Sequence, residues 1–165
     1  AYSLLSRAIE YKMLPFCAAQ GIGVIGYSPL QQGLISDKFV DIDTLPSGRR
    51  RTRHFNSTKV KGSRHGGQGA EAEMKKALVE IRDLSRALGR PTSQVALMWS
   101  LANPLVTCVL VGCRNLIQLE ANAAAAEEPL DQDTLKRLNE ITAPLKDKLG
   151  SSFDYYESPE NDRTR

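Results

Sequence analysis

The residues best suited to chemistry in this 165-residue chain lie at the ends of two short apolar runs. The first is Gly23-Val24-Ile25-Gly26-Tyr27-Ser28-Pro29-Leu30, and the second is Leu110-Val111-Gly112-Cys113-Arg114-Asn115, followed by Gln118 and Asn122. Each run stops abruptly at small, aromatic or charged residues, the pattern by which a buried parallel strand delivers functional groups to the mouth of a barrel. Gly112-Cys113-Arg114-Asn115 leads into a helix amino terminus, where backbone donors and the helix dipole favour a phosphate. Arg114 adds a guanidinium able to clasp a phosphate in bidentate fashion; the bland alternative is a solvated loop arginine. Ser28-Pro29 taken by itself is a common turn opening, and Gly33 would let a ligand approach the backbone without a Cβ in the way.

Those residues need elements to hold them. Tyr2 to Leu5 reads as the end of a strand, and Leu14 to Gln20 as a short helix with Pro15 in its first turn. Val24 to Tyr27 is a second strand whose continuous small and apolar character predicts cover on both faces. From about Gln31 to Ala70 no helical or strand period is sustained, which makes residues 31–70 a long connection of the kind that is functional or disordered. Met74, Leu78, Ile81, Leu84 and Leu88 then mark one face of a helix ended by Gly89 and Pro91. Ser93 to Ala102 forms another helix, with Val95, Met98, Trp99 and Ala102 on one face, and Val106 to Val111 a third strand. Asn115 can cap a helix through Ala125, and Asp131 one in which Leu135, Leu138, Ile141 and Leu145 line the core. Residues 146–165 read as a polar tail. Strands separated by helices argue for parallel β/α units, hence a single α/β region over residues 1–165.

Composition bounds the rest. With 41% apolar residues the chain has material for a core. No stretch approaches the roughly 20 apolar residues of a membrane span, and Ala1 opens without a cleavable leader, so no membrane partner and a cytoplasmic location are expected. Cys17, Cys108 and Cys113 are odd in number and lack Cys-x-x-Cys spacing, which predicts buried thiols rather than disulfides or a metal site. Arg49, Arg50, Arg51, Arg53, Lys59, Lys61 and Arg64 fall in a stretch with no acidic residue, most of them expected in solvent. Such a cluster also suits nucleic acid, but only His54 and Phe55 offer rings for base stacking, which ranks that partner low.

Tyr2-Ser3-Leu4-Leu5, Leu14-Pro15-Phe16-Cys17, the run from Gly21 to Leu30, Gly33-Leu34, Gln94-Val95-Ala96-Leu97-Met98-Trp99, Gly112-Cys113-Arg114 and the Asp131 helix occur in an order that resembles the carboxyl-terminal half of the aldo-keto reductase family. The resemblance implies a partial TIM-type (β/α) barrel, its sixth to eighth strands, with NADP(H) lying across the carboxyl-terminal mouth and an aldehyde or ketone reduced by hydride transfer. Tyr27 would stack on the nicotinamide, or else be a core aromatic beside Pro29. Ser28 and Leu30 would offer hydroxyl and amide to the pyrophosphate, Gly33 its bare backbone, and Gly112 and Arg114 a seat for the adenosine 2′-phosphate. Gln118 and Asn122, one helical turn apart, would face the ribose phosphate and adenine. The family has Glu just before that asparagine, where this chain has Ala121; Glu120 is one residue out of register and turned by about 100°.

What the resemblance leaves out is the general acid. In the family this is a tyrosine tuned by a lysine, an aspartate and a histidine, all in the amino-terminal half. His54 and His65 lie in the basic loop, and neither Tyr2 nor Tyr11 has a family-matched lysine and aspartate, so no catalytic residue is assigned. Three strands cannot close a barrel, and the flank of Val24, Ile25, Val106 and Leu110 would be bare. The chain is then expected to be a fragment, a truncated product, or part of an assembly completed by the missing amino-terminal half or by a homo-oligomer. A dinucleotide-binding or interaction module without turnover is the competing expectation.

Overall fold

A computed structural model of the protein describes residues 1–39, 41–158 and 160. Along them run α1 (Met13–Ala19), β1 (Ile25–Tyr27), α2 (Glu71–Ala87), α3 (Thr92–Leu101), β2 (Cys108–Leu110), α4 (Leu116–Ala124) and α5 (Gln132–Leu149). β1 and β2 pair in parallel, Ile25 opposite Cys108, Gly26 opposite Val109 and Tyr27 opposite Leu110. A parallel pair demands a long crossover, here the basic segment with α2 and α3, so the α/β organisation follows from the pairing itself.

The strand expected over Tyr2 to Leu5 does not form. Ser3 and Ser6 bridge each other in a tight antiparallel turn, and Tyr2 alone reaches the sheet, its amide donating to the Tyr27 carbonyl at 3.0 Å. The Ser3 hydroxyl oxygen accepts from the amides of Leu5 and Ser6 at 3.2 and 3.1 Å, which offers the backbone a local alternative to the ladder. Cover on both faces of β1 also fails. Gly26 is buried, but Ile25 and Tyr27 flank it at 60% and 52% exposure.

The helices make the core. α2 buries Met74, Ala77, Leu78 and Ile81 and packs against α3 and α5, ending at Gly89, whose φ of +65° suits a residue without a Cβ. α3 is buried on nearly every side, as expected of a helix that is apolar all round. Asp131 accepts from the Thr134 amide at 2.7 Å and starts α5, which buries Leu138, Ile141 and Leu145. The helix runs on to Leu149, so the expected polar tail begins four residues late; beyond it Asp154 and Glu157 are buried, and residues 159 and 161–165 lie outside the described residues.

The long connection is ordered by anchors rather than by a period. Short 3-10 turns at Ile42–Thr44 and Ser57–Lys59 are capped by the side chains of Asp41 and Asn56, while Ile42, Leu45, Phe55 and Val60 are buried at irregular intervals. Several of its cations pack instead of pointing into solvent: Arg49 lies 5.0 Å from the Phe39 ring centre and Arg50 5.5 Å from that of Phe55. The thiols correct another expectation, since Cys17 and Cys108 are half-buried and Cys113 is exposed.

Candidate functional site

Because β1 and β2 are parallel and in register, the chain leaves both at the same end, which sets Ser28-Pro29-Leu30 beside Val111-Gly112-Cys113. An open cleft of ≈ 670 Å³ lies between these exits and α4. Of the residues singled out in the sequence, Ser28, Leu30 and Gly33 line it from one side and Gly112, Arg114, Gln118 and Asn122 from the other. Tyr27 is paired with Leu110 and half exposed, and the structure does not place it among the lining residues. The third wall comes from the basic connection, which contributes Lys38, Phe39 and Arg49.

The turn after β1 is unusual in its backbone. Ser28, Gln31 and Gln32 have φ of 56°, 48° and 55°, and Gly33 has 92°. Left-handed backbone at residues carrying a Cβ costs about 1 kcal/mol or more each, so the surroundings must hold it. Gln31, 1% exposed, is held from the core side: its Oε1 accepts from the Ser3 hydroxyl at 3.0 Å and the Ser6 hydroxyl at 3.3 Å. Its amide nitrogen lies 3.4 Å from His54 Nδ1, to which the Thr52 hydroxyl also donates at 3.2 Å, while His54 Nε2 donates to the Leu5 carbonyl at 2.7 Å. Burial keeps this imidazole neutral, its pKa lowered to about 4.

On the opposite side Asn115 accepts from the Gln118 amide at 2.9 Å and starts α4, and the Gln118 side-chain carbonyl accepts from the Arg114 amide at 2.9 Å. Those two helix-end donors are therefore satisfied within the chain, and Arg114 and Gln118, whose guanidinium and side-chain nitrogen take no part in those two bonds, both line the cleft. Nothing lies within 4 Å of where a Cβ on Gly112 would sit. Ala121 lines the cleft and Glu120 does not, as the helical rotation predicts.

The charge is one-sided. Lys38, Arg49 and Arg114 surround the cleft, and no carboxylate is among its described lining residues. Arg49 Nη1 donates to the Gln32 carbonyl at 2.7 Å and its guanidinium rests on the Phe39 ring, so this cation is positioned in advance. The arrangement can hold an anionic ligand against bare backbone. Lys38 and Phe39 escaped the reading of the sequence; the available signal was the acid-free run of cations just beyond them.

Proton donors are placed elsewhere. Tyr2 is buried, its hydroxyl donating to Glu10 at 3.0 Å and accepting from Asn103 at 2.7 Å, and burial together with the Glu10 charge pushes its pKa up. A phenol held that way is a poor acid near neutrality. The Tyr155 hydroxyl is likewise buried and its pKa raised by that burial. Among the described residues no group of three or more metal-ligating side chains occurs, and no helix is long and apolar enough to cross a membrane.

Comparison with known proteins gives a consistent family. The model of the Aldo/keto reductase family matches residues 1–143. An uncharacterized oxidoreductase of Bacillus subtilis, YrpG, is 34% identical over 140 residues, covering 85% of this chain and 38% of the relative. L-glyceraldehyde 3-phosphate reductase of Escherichia coli is 32% identical over 126 residues, covering 76% and 35%. Among solved structures, the glycerol dehydrogenase of Gluconobacter oxydans superposes with a TM-score of 0.65 at 22% identity, covering 87% of this chain and 41% of that one. The chain spans less than half the length of each of these relatives.

Proposed function

The chain belongs to the aldo/keto reductase family of oxidoreductases, and from that premise we propose that it is the NADP(H)-binding portion of an enzyme that reduces an aldehyde or ketone, one sector of a (β/α) barrel. The observation that carries the reading is the cleft at the shared exit of two parallel strands, with three cations and no carboxylate among its described lining residues. A polyanionic dinucleotide fits those residues, because three cations face the cleft and Gly112 leaves its backbone open where a phosphate would lie. Bound there, the cofactor supplies a hydride to a carbonyl carbon.

The chain's own residues then divide the work. Tyr27, one residue before the lining Ser28, offers an exposed ring for stacking on the nicotinamide. Ser28 and Leu30 face the pyrophosphate with hydroxyl and amide, with Lys38 and Arg49 neutralising its charge from across the cleft. Arg114 takes the 2′-phosphate, while the Gln118 amide nitrogen and Asn122 face the adenosine. The proton for the developing alkoxide comes from outside this chain, from an amino-terminal portion that also closes the barrel.

The test is cofactor discrimination. Arg114→Ala should weaken NADPH by about 1.5–3 kcal/mol, the range of a hydrogen bond to a charged group, and leave NADH nearly unchanged. Equal losses for both dinucleotides would overturn the assignment. The described lining residues of the cleft include no tuned acid, which motivates a second reading, a dinucleotide-binding module without turnover. Carbonyl-dependent NADPH oxidation by the purified chain would exclude it, and binding without oxidation would favour it.

A further inference from the structure

Resting on the dinucleotide reading above, we propose that Tyr156 is a positioning residue for the cleft, acting through Gln32 on Arg49. The Gln32 side-chain nitrogen donates to the Tyr156 hydroxyl at 3.0 Å, and the Gln32 carbonyl accepts from Arg49 Nη1 at 2.7 Å. One residue therefore joins the carboxyl-terminal segment to the cation that faces the ligand.

The link matters because of where Gln32 sits. Gln31, Gln32 and Gly33 are three successive residues with positive φ, and the first is fixed from the core by Ser3, Ser6 and His54. Gln32 lies on the outer side of that turn, partly exposed, and the bond to Tyr156 restrains it from there. Its conformation sets two things at once: the direction of the carbonyl that holds Arg49, and the approach of Gly33, whose hypothetical Cβ would sit 3.4 Å from Arg49 Nη1. Losing the restraint frees Gln32 to leave a costly backbone region, and Arg49 moves with it.

Tyr156 is itself held on both sides. Asp154 Oδ1 accepts from the amides of Tyr156 and Glu157 at 2.9 and 3.2 Å. The Arg53 amide donates to the Tyr155 carbonyl at 3.0 Å, its guanidinium donates to the carbonyls of Leu149 and Ser152 at 3.0 and 3.2 Å, and Arg64 pairs with Glu157 at 2.7 Å. This gives two cations of the basic connection a purpose apart from the ligand: they strap the tail so that one hydroxyl meets one glutamine.

The experiment compares the wild-type chain with Tyr156→Phe, Gln32→Ala and the double variant. NADPH titration should show each single change weakening binding by roughly three- to tenfold, the range for a lost neutral hydrogen bond, with the double variant no weaker than either. Melting temperatures should stay within about 2 °C of wild type, which a loss of packing would not allow. Wild-type affinity in Tyr156→Phe, or losses that add in the double variant, would overturn the proposal. If the wild-type chain binds neither NADPH nor NADH, the cofactor reading fails on its own account. Amide hydrogen exchange at Gly33, Leu34 and Ile35 then decides: faster exchange in Tyr156→Phe supports the link, and unchanged exchange overturns it.

Discussion

Two glycines in the cleft look alike in the sequence and differ in what they do. Gly33 has a φ of 92° and is crowded by Arg49 and Phe39, so an alanine there would be strained by its backbone and would push on the cation. Gly112 has no positive φ and open space around it, so an alanine there meets no protein atom, and because Gly112 lines the cleft its methyl group is placed to meet a ligand on the proposed reading. Gly33→Ala should therefore lower stability by about 1 kcal/mol or more and weaken NADPH as well. Gly112→Ala should leave thermal unfolding unchanged and still weaken NADPH. Paired melting curves and titrations check both, and a Gly112→Ala chain with full affinity would mean that no ligand passes that point. Sequence alone singled out both positions but could not tell them apart, because φ and crowding are set by residues as distant as Phe39 and Arg49.

At the scale of elements, what could be read from the sequence was whatever carries a period or a cap. α2, α5 and the caps at Asn115 and Asp131 follow directly from apolar spacing and side-chain acceptors. What could not be read was the connection between β1 and α2, whose order comes from single anchors such as Phe55 and from the buried His54, and the Ser3–Ser6 turn, where a hydroxyl outcompetes the sheet. His54 ties three such pieces together, and this gives the connection a pH dependence. Its pKa is lowered from 6.5 to about 4 by burial, so the unfolded chain binds the proton more readily than the folded one. Its contribution is complete above pH 6.5 and is lost as the pH falls toward 4, amounting to up to about 3 kcal/mol across that window. Urea unfolding between pH 7 and 4 should show this slope in the wild-type chain and a shallower one in His54→Gln. Equal slopes would mean that another group is responsible.

For the whole molecule, the decisive fact is what the sheet leaves uncovered. Ile25, Tyr27 and Leu110 are more than half exposed on two paired strands, and α4 has Leu116, Ile117 and Leu119 exposed with no buried residue of its own. Val106 is buried and Val24 half-buried, so the bare flank is narrower than the sequence implied. A two-stranded sheet with apolar side chains in water and unpaired edges invites a partner, and a barrel removes both problems by closing. The chain covers 35–41% of the length of these relatives, and on the barrel-sector reading proposed above an amino-terminal portion with the remaining strands would be the complement of this face. The chain by itself should bind a hydrophobic dye and self-associate as its concentration rises, with Ile25→Thr and Leu110→Thr reducing both without lowering the melting temperature, since neither residue supports the core. Co-expression with such an amino-terminal portion should abolish dye binding and give a single sharp species in sedimentation. A chain that stays monomeric and dye-free without it would show that this face is stable in water, and the case for a barrel sector would lose its physical basis.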